Sequence, residues 1–259
     1  MSFVRAKKSL GQHFLKDQNI ARKIVDSLQP NEVKTVLEIG PGMGVLTNYL
    51  MEKSELDLFL IEIDRESVEF LQLKYPQIGD HLLSLDFLKF DLANTFTQKV
   101  NIIGNFPYNI SSQIFFKVLE NKDLVPQVVG MIQKEVAERI ANKPGSKVYG
   151  IMSVLLQAFY DIEYLFTVNE GVFDPPPKVK SAVIRLTRNN VMALGCNEKL
   201  FFSVVKTSFN QRRKTLNNSL KPLLGGNKIE HEIMTLRPER LSVEQFVMLT
   251  NLVEELGCI

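Results

Sequence analysis

Cysteine is nearly absent from this chain: Cys196 and Cys258 are the only two in 259 residues. Both lie in the C-terminal quarter without metal-ligand spacing, so neither a disulfide framework nor a metal site is expected, and a reduced, cytoplasmic protein is. Net charge is scarce too. Lys and Arg total 31 against 29 Asp and Glu, a formal +2, so the molecule is no polycation and any nucleic-acid contact must come from clustered charge. No apolar run approaches the roughly 20 residues of a membrane span, and no N-terminal stretch resembles a signal peptide. Internal repeats and low-complexity tracts are missing as well. What is present, 45% hydrophobic and 23% charged residues, is an ordinary globular composition, long enough for one large domain and one small one.

Along the chain, strand and helix patterns alternate. Ile20, Ala21, Ile24, Val25 and Leu28 fall at helical spacing over 18–28, and Pro30 stops that helix. Strands are predicted over 35–40, 56–62, 82–85, 100–104 and 127–132, with helices over 45–51, 65–74, 111–120 and 149–160. A late strand pair covers 161–168 and 180–187. This alternation indicates an α/β fold with a largely parallel sheet, whose strand ends share the edge where ligands bind. After about residue 188 the texture becomes helical, over 200–224 and 243–256. A boundary near 189–197 therefore separates a larger α/β domain, 1–190, from a small helical one, 191–259.

Two motifs stand at strand ends. Gly40, Gly42 and Gly44 occupy the turn between the first predicted strand and its helix, where glycine lets the backbone turn tightly and approach a ligand. A dinucleotide fingerprint needs one more glycine at position 45, which is Val45, so a nicotinamide or flavin reading is weakened. Glu62 ends the second strand, 22 residues after Gly40, where a carboxylate can accept both hydroxyls of a ribose. Asp64 is its rival, and Glu62 is preferred because it closes the apolar run. Asp86 closes the third strand, as an acceptor for an adenine amine or as an ordinary turn residue.

The second motif is Asn105-Phe106-Pro107-Tyr108, at the end of the fourth strand. An amide oxygen and a proline carbonyl can accept the two hydrogens of an exocyclic amine while an aromatic ring stacks on the base. Beside a nucleotide-like cofactor, this points to methyl transfer to a nucleobase amine. Phe173, in the proline-rich run Phe173-Asp174-Pro175-Pro176-Pro177, is expected to close the other face of the base. Such a displacement is mostly a matter of positioning, which suits a motif with no histidine base beside it.

These motifs, with Ser9-Leu10-Gly11-Gln12-His13-Phe14-Leu15, the run from Phe173 to Ser181, and Gln211-Arg212-Arg213-Lys214-Thr215-Leu216, resemble nearly end to end the bacterial small-subunit ribosomal RNA adenine dimethyltransferases of the KsgA/RsmA type. The resemblance implies a Rossmann-like class I S-adenosylmethionine-dependent methyltransferase core with a small C-terminal α-helical, rRNA-binding domain. It also implies two adjacent adenosines, in a stem-loop near the 3′ end of 16S rRNA in the small ribosomal subunit, as acceptors of two methyl groups each. A monomer with a part in small-subunit biogenesis is expected, without membrane contact. Carried over by motif, catalytic roles fall on Asn105, Pro107, Tyr108 and Phe173. Cofactor contacts fall on His13, Leu15, Gly40, Glu62, Asp86 and Asn105. His13 replaces an asparagine frequent in the family, and Phe106 the more usual leucine.

Basic residues cluster at Arg5, Lys7 and Lys8, at Lys178, Lys180, Arg185 and Arg188, and at Lys206, Arg212, Arg213 and Lys214. Lys178, Lys180, Lys206, Arg212, Arg213 and Lys214 are the candidates for phosphate contact, each adding salt-sensitive affinity. Three other readings differ in substrate or class. The macrolide-resistance enzymes act on 23S rRNA and share the asparagine-proline-tyrosine motif. DNA adenine methyltransferases typically begin that motif with aspartate. A largely non-catalytic assembly factor would have no need of Gly40, Glu62 and Asn105.

Overall fold

The computed structural model describes residues 4–29 and 32–256; Pro30, the expected helix stop, and Cys258 lie outside them. Nine strands occur among the described residues: β1 (Phe14–Leu15), β2 (Thr35–Ile39), β3 (Asp57–Ile61), β4 (Leu82–Leu83), β5 (Asn101–Asn105), β6 (Gln127–Gln133), β7 (Tyr160–Val168), β8 (Phe173–Asp174) and β9 (Ser181–Arg188). Seven form one sheet in the order β4-β3-β2-β5-β6-β9-β7. From β4 through β6 all neighbours are parallel, and β9 enters antiparallel against β6. Four of the five residues of β5 and six of the seven of β6 are buried, as a parallel sheet covered on both faces requires.

The order of the strands places the site. The chain runs outward from β2 through β3 to β4, then returns to lay β5 on the other side of β2. Such a reversal leaves a crevice at the carboxyl ends of the two central strands. Glu38 stands opposite Ile103 in register, so two residues further on Gly40 and Asn105 leave β2 and β5 side by side. Both sequence motifs therefore open into one crevice.

Local chemistry explains the helices that frame it. The helix Gln18–Asp26 begins at Asp17, whose carboxylate accepts the amides of Asn19 and Ile20, and it buries Ala21, Ile24 and Val25. The helix Ser111–Glu120 covers the sheet with Ile114, Phe115, Val118 and Leu119.

Several expectations need correction. A helix over Lys134–Ala141 follows β6 directly where none was predicted. The predicted helix over 149–160 shortens to Ile151–Gln157, because β7 starts at Tyr160. The predicted helix over 200–224 breaks into Glu198–Asn210, Leu216–Ser219 and Lys221–Leu224. Pro222 sits in the first turn of the last piece, the one helical place where a residue without an N–H costs little.

The chain divides into two compact units: Met1–Ala137 with Ile162–Arg188, and Glu138–Asp161 with Asn189–Ile259. The second unit thus takes in 138–161 as well as the segment after residue 188. Its core includes Phe201, Phe209 and Phe246, the last two stacked at 6.0 Å. The helix Val243–Glu255 is held at its start by a reciprocal cap between Ser242 and Gln245. No helix among the described residues is long and apolar enough to cross a membrane.

Candidate active site

One wall of the crevice is the glycine turn. A Cβ on Gly42 would lie 2.8 Å from the Phe14 ring, and one on Gly44 would lie 2.6 Å from the Tyr75 ring, so both are glycine because neighbours press on them. Gly40, Gly42 and Gly44 all have a left-handed φ, between +56° and +74°, but Gly40 differs in that nothing stands within 4 Å of where its Cβ would be. The backbone there borders open space.

Glu62 faces that space and is nearly completely buried. Its Oε2 accepts the Gly42 amide at 3.0 Å and its Oε1 the Asp64 amide at 2.9 Å. Burial pushes its pKa up, and these amides only partly oppose the shift. A carboxylate has about four lone-pair sites, more than these two amides fill, which leaves acceptor capacity for a hydroxyl donor. Asp64 does not line the cavity. It holds Lys7 and the Ser67 hydroxyl, and although burial works against it, those partners leave its pKa lowered. Asp86 lines the cavity half-buried and accepts the Leu88 amide at 2.9 Å through Oδ1. Ile63 and Leu85, both about half exposed, form an apolar rim.

The opposite wall is the Asn105–Tyr108 turn. Asn105 donates through Nδ2 to the His13 carbonyl at 2.9 Å. A carbonyl can only accept, so the amide nitrogen must face it and Oδ1 must face away. The Pro107 carbonyl accepts the Ile110 amide at 3.2 Å and keeps a second lone pair. Tyr108 shares a hydrogen bond of 2.5 Å with the Ser181 hydroxyl, and burial raises its pKa. Phe106 points the other way, 1% exposed, against Gly104 and Gly130, where added Cβ atoms would meet its ring at 2.9 and 2.6 Å.

Of the expected site residues, His13, Gly40, Glu62, Asp86, Asn105, Pro107 and Tyr108 line this one cavity. Leu15 and Phe173 do not. They pair across β1 and β8 and belong to the hydrophobic core, with Phe173 1% exposed, so the Phe173 ring packs inward instead of closing over a base. Two basic groups are also corrected. Lys7 pairs with Asp64 and Glu66, and Arg185 forms a two-pronged bond to Glu163 with a third to the Ser27 carbonyl. Lys178 and Lys180 are exposed just before β9, and Lys206 is exposed on the helix Glu198–Asn210. Arg213 and Lys214 are exposed in the turn after that helix, while Arg212 donates to the Lys147 carbonyl. The sequence reading missed Gly11, Asn109 and the apolar rim; an apolar Ile63 between two acids was the one available signal for the rim.

A glycine cradle open to ligand, a buried carboxylate at the end of the next strand and an amide-proline-tyrosine turn, all at the switch point of this sheet, define a class I methyltransferase using S-adenosylmethionine. The model of the family described as ribosomal RNA adenine dimethylase matches residues 3–255, and the chain belongs to that family. It is 59% identical over 258 residues to a protein of Bacteroides thetaiotaomicron named ribosomal RNA small subunit methyltransferase A, covering 98% of this chain and 96% of that one. A Parabacteroides distasonis protein of the same name is 60% identical over 252 residues, covering 96% and 94%. Among solved structures, a dimethyladenosine transferase from Plasmodium falciparum superposes with a TM-score of 0.78 at 25% identity, covering 95% of this chain and 98% of that one. A 23S rRNA methyltransferase, ErmE, shares the fold with a TM-score of 0.63 at 24% identity, covering 93% and 99%.

Proposed function

We propose that this enzyme dimethylates the N6 amines of two adjacent adenosines in a stem-loop near the 3′ end of 16S rRNA, acting as a cytoplasmic monomer on the small ribosomal subunit during its biogenesis. The names of the relatives in Bacteroides and Parabacteroides support the small-subunit substrate. The observation that carries the chemistry is the Asn105 amide, whose orientation is set by the His13 carbonyl.

S-adenosylmethionine, when bound, supplies a methyl group on a sulfonium. Gly40 offers backbone clearance for it, Glu62 accepts its ribose hydroxyls and Asp86 its adenine amine. The acceptor's exocyclic nitrogen is a weak nucleophile because its lone pair is delocalised into the ring. Asn105 Oδ1 and the Pro107 carbonyl accept its two hydrogens in the first transfer and the one that remains in the second. This favours a tetrahedral nitrogen and stabilises the positive charge it gains on attack, before the proton passes to solvent. Tyr108 stacks on the extruded base, and burial keeps its phenol protonated. Lys178, Lys180, Lys206, Arg212, Arg213 and Lys214 make the phosphate contacts, with the 191–259 segment serving as the RNA-binding part.

Asn105→Ala tests the assignment. It should lower transfer to undermethylated small subunits by about 100-fold or more while the chain still folds and melts cooperatively; wild-type rates in that variant would contradict it.

A further inference from the structure

Three contacts converge on His13. Its carbonyl accepts Asn105 Nδ2 at 2.9 Å, its ring stacks on Tyr108 with centroids 5.4 Å apart and 30° between planes, and its Nδ1 lies 2.8 Å from the Pro175 carbonyl. Because that carbonyl accepts only, Nδ1 carries the hydrogen, and this bond sets the ring's orientation. The backbone on either side is pinned as well. A Cβ on Gly11 would stand 2.5 Å from Asn109 Oδ1, and Phe14 enters the ladder with β8. The imidazole is therefore fixed against the acceptor wall of the crevice.

We infer that His13 is a positioning residue for the acceptor adenine: its carbonyl sets the Asn105 amide, and its imidazole braces one face of Tyr108, leaving the other face for the base. The inference rests on the proposed function and deepens it. The family resemblance puts this position among the cofactor contacts, and the side chain's contacts with Tyr108 and Pro175 give it this second role beside that one. One covered face of Tyr108 also sets the side from which adenine stacks.

The test uses the full chain, S-adenosylmethionine and undermethylated small subunits, with wild-type transfer in the same assay checking the underlying reading separately. His13→Ala should lower kcat about tenfold or more while the cofactor Kd, measured by calorimetry, stays within about twofold. His13→Phe, which keeps a ring on Tyr108, should recover most of the loss. A Kd weakened tenfold with unchanged kcat, or a phenylalanine variant as slow as the alanine one, would overturn the inference. Should His13→Ala fail to fold, Gly11→Ala carries the test. Gly11 has a φ of +64° and its Cβ would stand 2.5 Å from Asn109 Oδ1, so a methyl there strains the backbone that holds His13 and should lower kcat more than it weakens cofactor binding; an unaltered kcat would overturn the inference.

Discussion

The carboxylate of Glu62 bonds the Gly42 amide at 3.0 Å, tying the end of β3 to the glycine turn that follows β2. Glu62→Gln offers one acceptor where two amides and a ribose compete, so the cofactor Kd should weaken by about ten- to a hundredfold. Because burial raises the pKa of Glu62, the carboxylate takes up its proton earlier on acidification than an ordinary glutamate. Wild-type affinity should therefore fall at a higher pH than the usual carboxylate range, and calorimetric titration across pH checks the direction.

A second buried acid has no place in the chemistry. Glu38 accepts the Thr47 hydroxyl at 2.7 Å, and burial pushes its pKa up to about 8. The folded chain then keeps this proton at pH values where the unfolded chain has lost it. The contribution to stability is present below the ordinary glutamate pKa and is lost as pH rises to about 8. Glu38→Gln should flatten the decline of Tm between about pH 5 and pH 9; parallel melting curves that keep the wild-type slope would contradict this.

Phe106 lies over two glycines, so the aromatic ring and the absent side chains form one packing solution. Phe106→Leu should cost less than the roughly 3–5 kcal/mol of a full truncation to alanine, and Gly130→Ala alone about 1–3 kcal/mol from overpacking. Combined, the smaller side chain makes room for the methyl, so the double variant should be more stable than the two costs predict. Denaturant unfolding of the cycle measures that coupling.

The turn Gln211–Lys214 can be tested through salt. Arg213 and Lys214 are exposed, while Arg212 is held by the Lys147 carbonyl. Removing Arg213 and Lys214 together should reduce the slope of log K against log salt by about 2. Arg212→Ala should lower Tm as well, since it also frees that carbonyl.

How much of this was legible in the sequence follows from the range of each interaction. The α/β alternation, the strand ends at Gly40 and Asn105, and the helix over 111–120 rest on local periodicity, and the structure has them in place. The helix over Lys134–Ala141 was missed because it continues without a break from an apolar strand. Strands β1 and β8 are two residues each, too short for any period, and their pairing is what turns Phe173 inward. Lys7 read as part of a basic cluster because its partner Asp64 is 57 residues away. Likewise, nothing local tells that His13 meets Tyr108.

The most direct measurement is radiolabelled methyl transfer from S-adenosylmethionine to undermethylated small subunits, large subunits and duplex DNA in parallel. The account predicts label in dimethyladenosine from small subunits alone. Label in large subunits or DNA, or none anywhere from folded protein with cofactor bound, would contradict it.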